Sequence, residues 1–251
     1  MAVQVQDDRD RSADLKIVGN GTSNGGMFNK IKIVGEGDIN GDVDCRTLTC
    51  TGTLEVDGGL RVGTVKATGT IVVSGPMGGE ELNLTGNLNV LGGLHADKAR
   101  LNGEIRIDGG IIGEDIGLYG SCELTGDCQA ERLRLKGAIQ SQGTINAERV
   151  EIAMFGRSQT SEIVGGQIRI APHPTWKWVS LFKSWGTPGM QASIIEGDVI
   201  RLENTVADIV RGGDVSIGPG CRIRLVEYTK HYHQDPHAEV GEHLNVWRNE
   251  G

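Results

Sequence analysis

A chain of 251 residues with 39 glycines, 4% aromatic residues and a net charge of -8 is too thinly aromatic for a thick globular core and too acidic for a general nucleic-acid binder. Its five cysteines are odd in number and show no CxxC spacing, so they read as small buried hydrophobes of a reducing compartment. The opening residues are rich in charge, with no signal-peptide pattern and no membrane span, so a cytoplasmic protein is expected.

Residues 1–14 read as a mobile tail. A regular β-helix is expected over 15–156, with Leu15, Ile17 and Gly19 as a first turn one residue short of the later spacing. From there two glycine columns recur every seventeen residues: Gly35, Gly52, Gly69, Gly86, Gly103, Gly120 and Gly137, and Gly41, Gly58, Gly75, Gly92, Gly109, Gly126 and Gly143. Apolar pairs at i, i+2 keep the same period, as in Ile31/Ile33, Leu48/Cys50 and Val65/Ala67. That spacing puts both side chains on one face of an extended strand. A second set (Leu54/Val56, Ile71/Val73) follows six residues later and a third (Leu60/Val62, Leu94/Ala96) after six more, with five to the next turn.

A strand with two inward residues buries no core alone, so each must lie beside its copy in the next turn. The pattern predicts an all-β fold: a three-sided parallel β-helix, right-handed by the general rule for parallel crossovers. Eight turns or so would make a rod of roughly 35 Å. Glycine suits the first two corners through positive φ or close backbone approach. The third corner carries Thr47, Thr64, Glu81, Lys98, Asp115, Arg132 and Arg149 and turns differently. Cys45, Cys50, Cys122 and Cys128 fall on inward positions. An outward column of Lys32, Lys66, Arg100 and Arg134 reads as a solvated face or as a basic stripe on alternate turns.

After Phe155 the phase is lost, and a looser β-helical extension is expected over 157–228, with Gly165, Gly197 and Gly213 at corners. An insertion at 171–190 interrupts it, carrying Trp176, Trp178, Leu181, Phe182 and Trp185. Four of these, Trp178, Leu181, Phe182 and Trp185, follow i, i+3, i+4, i+7 spacing. The segment reads either as a helical flap packed on the coil or as a dock for a membrane surface or membrane-protein partner. Residues 229–251 read as a polar tail, whose His231, His233, His237 and His243 match no closed metal site. His95 points outward, and no catalytic or phosphate-loop motif occurs. No enzyme activity, cofactor, metal, nucleic acid or small-molecule substrate is expected.

The runs Gly37-Asp38-Ile39 and Gly41-Asp42-Val43, with the corners Ala130-Glu131-Arg132, Ala147-Glu148-Arg149 and Ala96-Asp97-Lys98, resemble those of the bactofilins, bacterial cytoskeletal proteins. The resemblance covers roughly Leu15 to Phe155 and rests on the repeat. It implies a homopolymer: filaments formed end to end without nucleotide, serving as scaffolds for cell shape, motility or envelope machinery, often at the membrane. A solenoid's terminal turns expose strand edges and interior, which invite another copy. The candidate polymerisation residues are Leu15, Ile17 and Phe28 at one end and Phe155 at the other, where the family places an aromatic residue. The alternatives are a non-polymerising adaptor with a capped coil and an acyltransferase of the hexapeptide-repeat class. The latter normally keeps a six-residue step on every side and a histidine base.

Overall fold

The interior of the molecule is a column of aliphatic side chains wrapped by one continuous parallel ladder. In a computed structural model, residues 13–175 and 187–246 are described. The strands are β1 (Asp14–Asp57), β2 (Leu60–Val73), β3 (Met77–Val90), β4 (Leu94–Ile107), β5 (Ile111–Leu124), β6 (Cys128–Ser141), β7 (Thr144–Met154), β8 (Arg157–Gln159), β9 (Glu162–Pro172), β10 (Gly189–Leu202), β11 (Thr205–Ile217), β12 (Arg222–Gln234) and β13 (Glu239–Asn245). Each pairs in parallel with its successor, β8 lying off the path against β6 and β10. There is no helix among the described residues.

The expected coil is present as a three-sided parallel β-solenoid of about eleven turns. Its rod is therefore about 50 Å long at the usual strand spacing. From Val43 to Met154 the register is constant: Val43 faces Leu60, Leu60 faces Met77, and so on up to Gly137 and Met154. Three short strands per turn were expected, yet β2 through β6 each run for 14 residues. The ladder survives two of the three corners and breaks only at the second. There the Val43 N–H still donates to the Gly59 carbonyl and the Leu60 N–H to the Pro76 carbonyl, both at 2.9 Å.

The two glycine columns answer to different constraints. In the first, φ runs from +117° at Gly35 to +154° at Gly137, and a Cβ on Gly69 would run into the Gly52 carbonyl oxygen of the turn below. In the second, only Gly41 has positive φ; Gly92 is required because a Cβ there would stand 2.9 Å from the Pro76 nitrogen. At the second inward position of the third strand, a Cβ on Gly79 would stand 2.6 Å from the Val62 carbonyl oxygen and 2.8 Å from the Leu82 side chain, so this turn favours glycine there.

Two expectations need correction. The stretch from 229 onward was read as a tail, but β12 runs to Gln234 and β13 pairs with it from Arg222 to Tyr228, so the coil continues to Asn245. Polar outward residues hid it, because only Val240 of β13 is even half-buried. The glycine corner in the later turns is Gly165, Gly197 and Gly212 in register, not Gly213. The tail expected at 1–14 lies outside the described residues up to 12, and Asp14 already belongs to β1.

Candidate functional site

The features that assembly or docking would use are the two ends of the coil and its sides. At the first turn, Ile17 is buried while Leu15 and Phe28 pack half-buried against the same core. The structure thus gathers three of the four expected polymerisation residues at one end. Phe155 is not with them and is not at the other end. Six further turn segments, β8 to β13, follow it, and its ring stacks on His173 with centroids 4.3 Å apart and planes at 24°. The loss of the seventeen-residue phase after Phe155 marks a change of register, not the end of the coil. Phe155 instead supports the foot of the insertion, where His173 Nδ1 lies 2.9 Å from the Thr175 hydroxyl. Burial, with the nearby Lys136 charge second, holds the His173 imidazole below its ordinary value.

The last described turn lies well beyond Phe155. Tyr232 stands opposite Val215 and Gln234 opposite Ile217, so the inward column turns polar in the last rung. His243 likewise stands opposite Val226. Tyr228, Tyr232 and His243 stack at 5.3 and 4.9 Å, and the Tyr232 hydroxyl donates to Gln234 Oε1 at 2.8 Å. Burial raises the Tyr232 phenol, with Tyr228 contributing. The signal was available in sequence: two of the three tyrosines lie four residues apart just where aliphatic pairs stop.

The histidines spread rather than converge. His231 Nδ1 lies 2.5 Å from Asp214 and His237 Nδ1 3.0 Å from Asp235, while His95 is exposed on the third strand. Among the described residues no three His, Cys, Asp or Glu side chains gather as a metal site. All five cysteines are buried, and none is in a disulfide. Burial pushes the Cys50 and Cys122 thiols up, Cys128 to about 12 and Cys221 to about 11, so none of these four offers a thiolate near neutral pH.

The outward column is wider than the sequence suggested. The first-strand side carries Lys16, Lys32, Lys66, Arg100, Arg134, Arg169 and Arg201 along its middle row, against one carboxylate, Glu151. Beside it, at the third corner, stand Lys98, Arg132 and Arg149, with Glu81 and Asp115 in the same row. Arg134 Nη2 donates to both oxygens of Asp115 at 2.7 and 2.9 Å. Tyr119 lies across Gly117 with Arg100 and Lys136 each 5.8 Å from its ring centre. The proposed docking residues Trp176, Trp178, Leu181, Phe182 and Trp185 lie outside the described residues.

The chain is similar to an uncharacterized protein of Bacillus subtilis (strain 168), YhbE, at 56% identity over 227 residues, covering 90% of this chain and 95% of the relative. A second uncharacterized protein of that strain, YhbF, matches at 51% identity over 51 residues, 20% of this chain and 22% of the relative. No family model matches, and no solved structure matches.

Proposed function

The chain belongs to the family of Bacillus subtilis YhbE, and we propose, from its repeat and its terminal turn, that it is a bactofilin-like structural scaffold of the cytoplasm, assembling end to end without nucleotide and supporting cell shape, motility or envelope machinery. The observation that carries this reading is the first turn. Its edge belongs to a continuous parallel ladder, and Leu15, Ile17 and Phe28 bring apolar side chains to that end. A second copy presenting a matching edge would extend the ladder and cover that apolar surface. The reading assigns no catalytic residue, cofactor or small-molecule substrate.

One observation favours the adaptor as a second reading. The polar inward positions Tyr232, Gln234 and His243 resemble a cap, as terminal repeats of solenoids require for solubility. Negative-stain electron microscopy of the purified protein without nucleotide separates the two. Filaments one rod wide, shortened by Leu15→Glu, are expected. Discrete rods or paired rods at every salt and protein concentration would overturn polymerisation and leave the capped adaptor.

A further inference from the structure

We propose that the third-strand side of the early turns is the face on which a second copy of the chain docks, the two rods lying side by side and antiparallel. The proposal concerns the side of the coil and stands whether or not its ends stack. It starts from glycines that the coil does not need. Where the ladder demands glycine, a Cβ would collide with backbone, as one on Gly69 would with the Gly52 carbonyl oxygen. On this side a Cβ on Gly78 would meet only the His95 carbonyl oxygen at 4.0 Å, and one on Gly93 only the Gly110 carbonyl oxygen at 3.5 Å. Neither glycine has positive φ. An outward strand position with room for a side chain is better filled by a β-branched or aromatic residue, and glycine kept there marks close approach of another backbone. The bare strip forms the floor of a trough of about 990 Å³ that runs from Met27 to Ile112.

The outward row of this trough is its own complement when reversed. Constant register stacks Asp44, Arg61, Gly78, His95 and Ile112 on successive turns, and the Gly25 backbone packed on Asp42 puts Met27 one turn below Asp44. A two-fold axis crossing the trough between Arg61 and Gly78 brings Met27 against Ile112 of the second copy, Asp44 against its His95, and Arg61 against its Gly78. Every contact then occurs twice. Met27 and Ile112 are 46% and 52% exposed in the single rod, so the outer pairs cover apolar surface, the acid and imidazole meet inside them, and the long Arg61 side chain takes the space that glycine leaves. On the bordering row the same axis sets Arg46 opposite Asp97. Gly59, Pro76 and Gly93 on the other border face their own row, which lets the backbones approach. Other alignments lose this match. A shift of one turn sets Arg61 against its own copy in one direction, and in the other sets it against His95 with Asp44 against Ile112. A parallel pair sets Asp44 and Arg61 each against its own copy, so only one register satisfies the charges and the apolar ends together. The contact is about 24 Å long, a small interface, and association at micromolar concentration is expected.

The test is cross-linking of the full chain carrying Met27→Cys and Ile112→Cys together, with a bismaleimide whose span of about 10 Å matches the spacing of packed sheets. The native thiols are buried, and the wild-type chain is the control. Within one rod the two positions lie about 24 Å apart and out of reach, whereas the docked pair joins them twice. A denaturing gel should show covalent dimers and no longer ladder from the double variant, dimers also from a mixture of the two single variants, and at least about tenfold less from either single variant alone. Adding Gly78→Tyr should lower the dimer yield at least about tenfold by filling the space that Arg61 takes, while the melting temperature stays unchanged because the coil has room for that side chain. Leu15→Glu should leave the yield as it is, so that loss of end stacking and loss of the side-by-side pair are read separately. No dimer above the wild-type control, equal yields from the single variants, or a yield untouched by Gly78→Tyr overturns the proposal. A yield that falls with Leu15→Glu would tie the contact to the end of the coil and overturn it too.

Discussion

From Val43 to Ile152 every turn copies the one below, whereas from Arg157 to Asn245 no two successive turns need the same length. The earlier region keeps a seventeen-residue register and both glycine columns. In the later region Asn146 faces Val164, Val164 faces Glu196, Glu196 faces Arg211 and Arg211 faces Glu227, steps of unequal size. A bulge between Gly212 and Asp214 alters the last of them within a single strand pair. Yet Ile168, Ile170, Ile195, Ile200 and Val210 are as buried as their counterparts in the regular array. The difference teaches that the coil is specified by inward pairs and ladder contacts. Corners absorb insertions and deletions so long as the pairs return to the same column.

The sharpest way to break the comparison is at the corners. Gly69→Val should cost about 3 kcal/mol or more, because left-handed strain adds to collision with the Gly52 carbonyl in the turn below. Gly189→Ala in the later region meets only the Asn204 carbonyl oxygen, at 3.4 Å, and should change stability by less than about 1 kcal/mol. Thermal or denaturant unfolding measures both. Equal costs would mean that the glycine columns are not what makes the regular array regular.

The core should not show that asymmetry. Ile105→Ala in the array and Ile200→Ala in the extension both remove side chains of 0% exposure, and each should cost about 2–5 kcal/mol. A much smaller loss at Ile200 would show that the irregular turns are packed more loosely than their burial implies. An intermediate effect is expected at Asn204, the non-glycine residue with positive φ (48°) among the described residues. Its Nδ2 donates to the Pro188 carbonyl at 3.2 Å. Asn204→Val should cost about 1–3 kcal/mol and Asn204→Gly less, because glycine keeps the conformation and loses only the hydrogen bond.

The regular turns were legible because their constraint is local and periodic. A φ near +130° at Gly86 or a collision at Gly103 demands glycine in every turn, and repetition makes the demand visible. The outward cation row could be read from the same period, but which of its members have a counter-charge could not. That depends on which carboxylates lie beside it in neighbouring rows, as Asp115 does for Arg134. The end of the coil was misplaced for a physical reason too. Phe155 coincides with the change of register, and a ring at the foot of an insertion cannot be distinguished by composition from a ring at a stacking end. Beyond it, a cap needs no apolar outward residue, so β13 has the composition of a tail although its backbone is paired.

The relocation of Phe155 gives the smallest but most discriminating effect. Phe155→Ala should leave assembly unchanged while removing the stack on His173, at a cost of about 1 kcal/mol or less beyond lost burial. The imidazole reports the change directly. Burial first and Lys136 second depress its folded-state value, so the native protein favours the neutral ring and the unfolded chain binds more protons. The stabilising contribution is therefore fully present above the ordinary histidine value near 6.5 and is lost as pH falls from there through the lower native value. An NMR titration of His173 should show a midpoint below 6.5 in the native protein. Phe155→Ala should raise that midpoint more than Lys136→Gln does, because burial is the larger cause. A native midpoint at or above the ordinary value would remove the stack as the anchor of the insertion, and loss of assembly in Phe155→Ala would return the ring to a stacking interface.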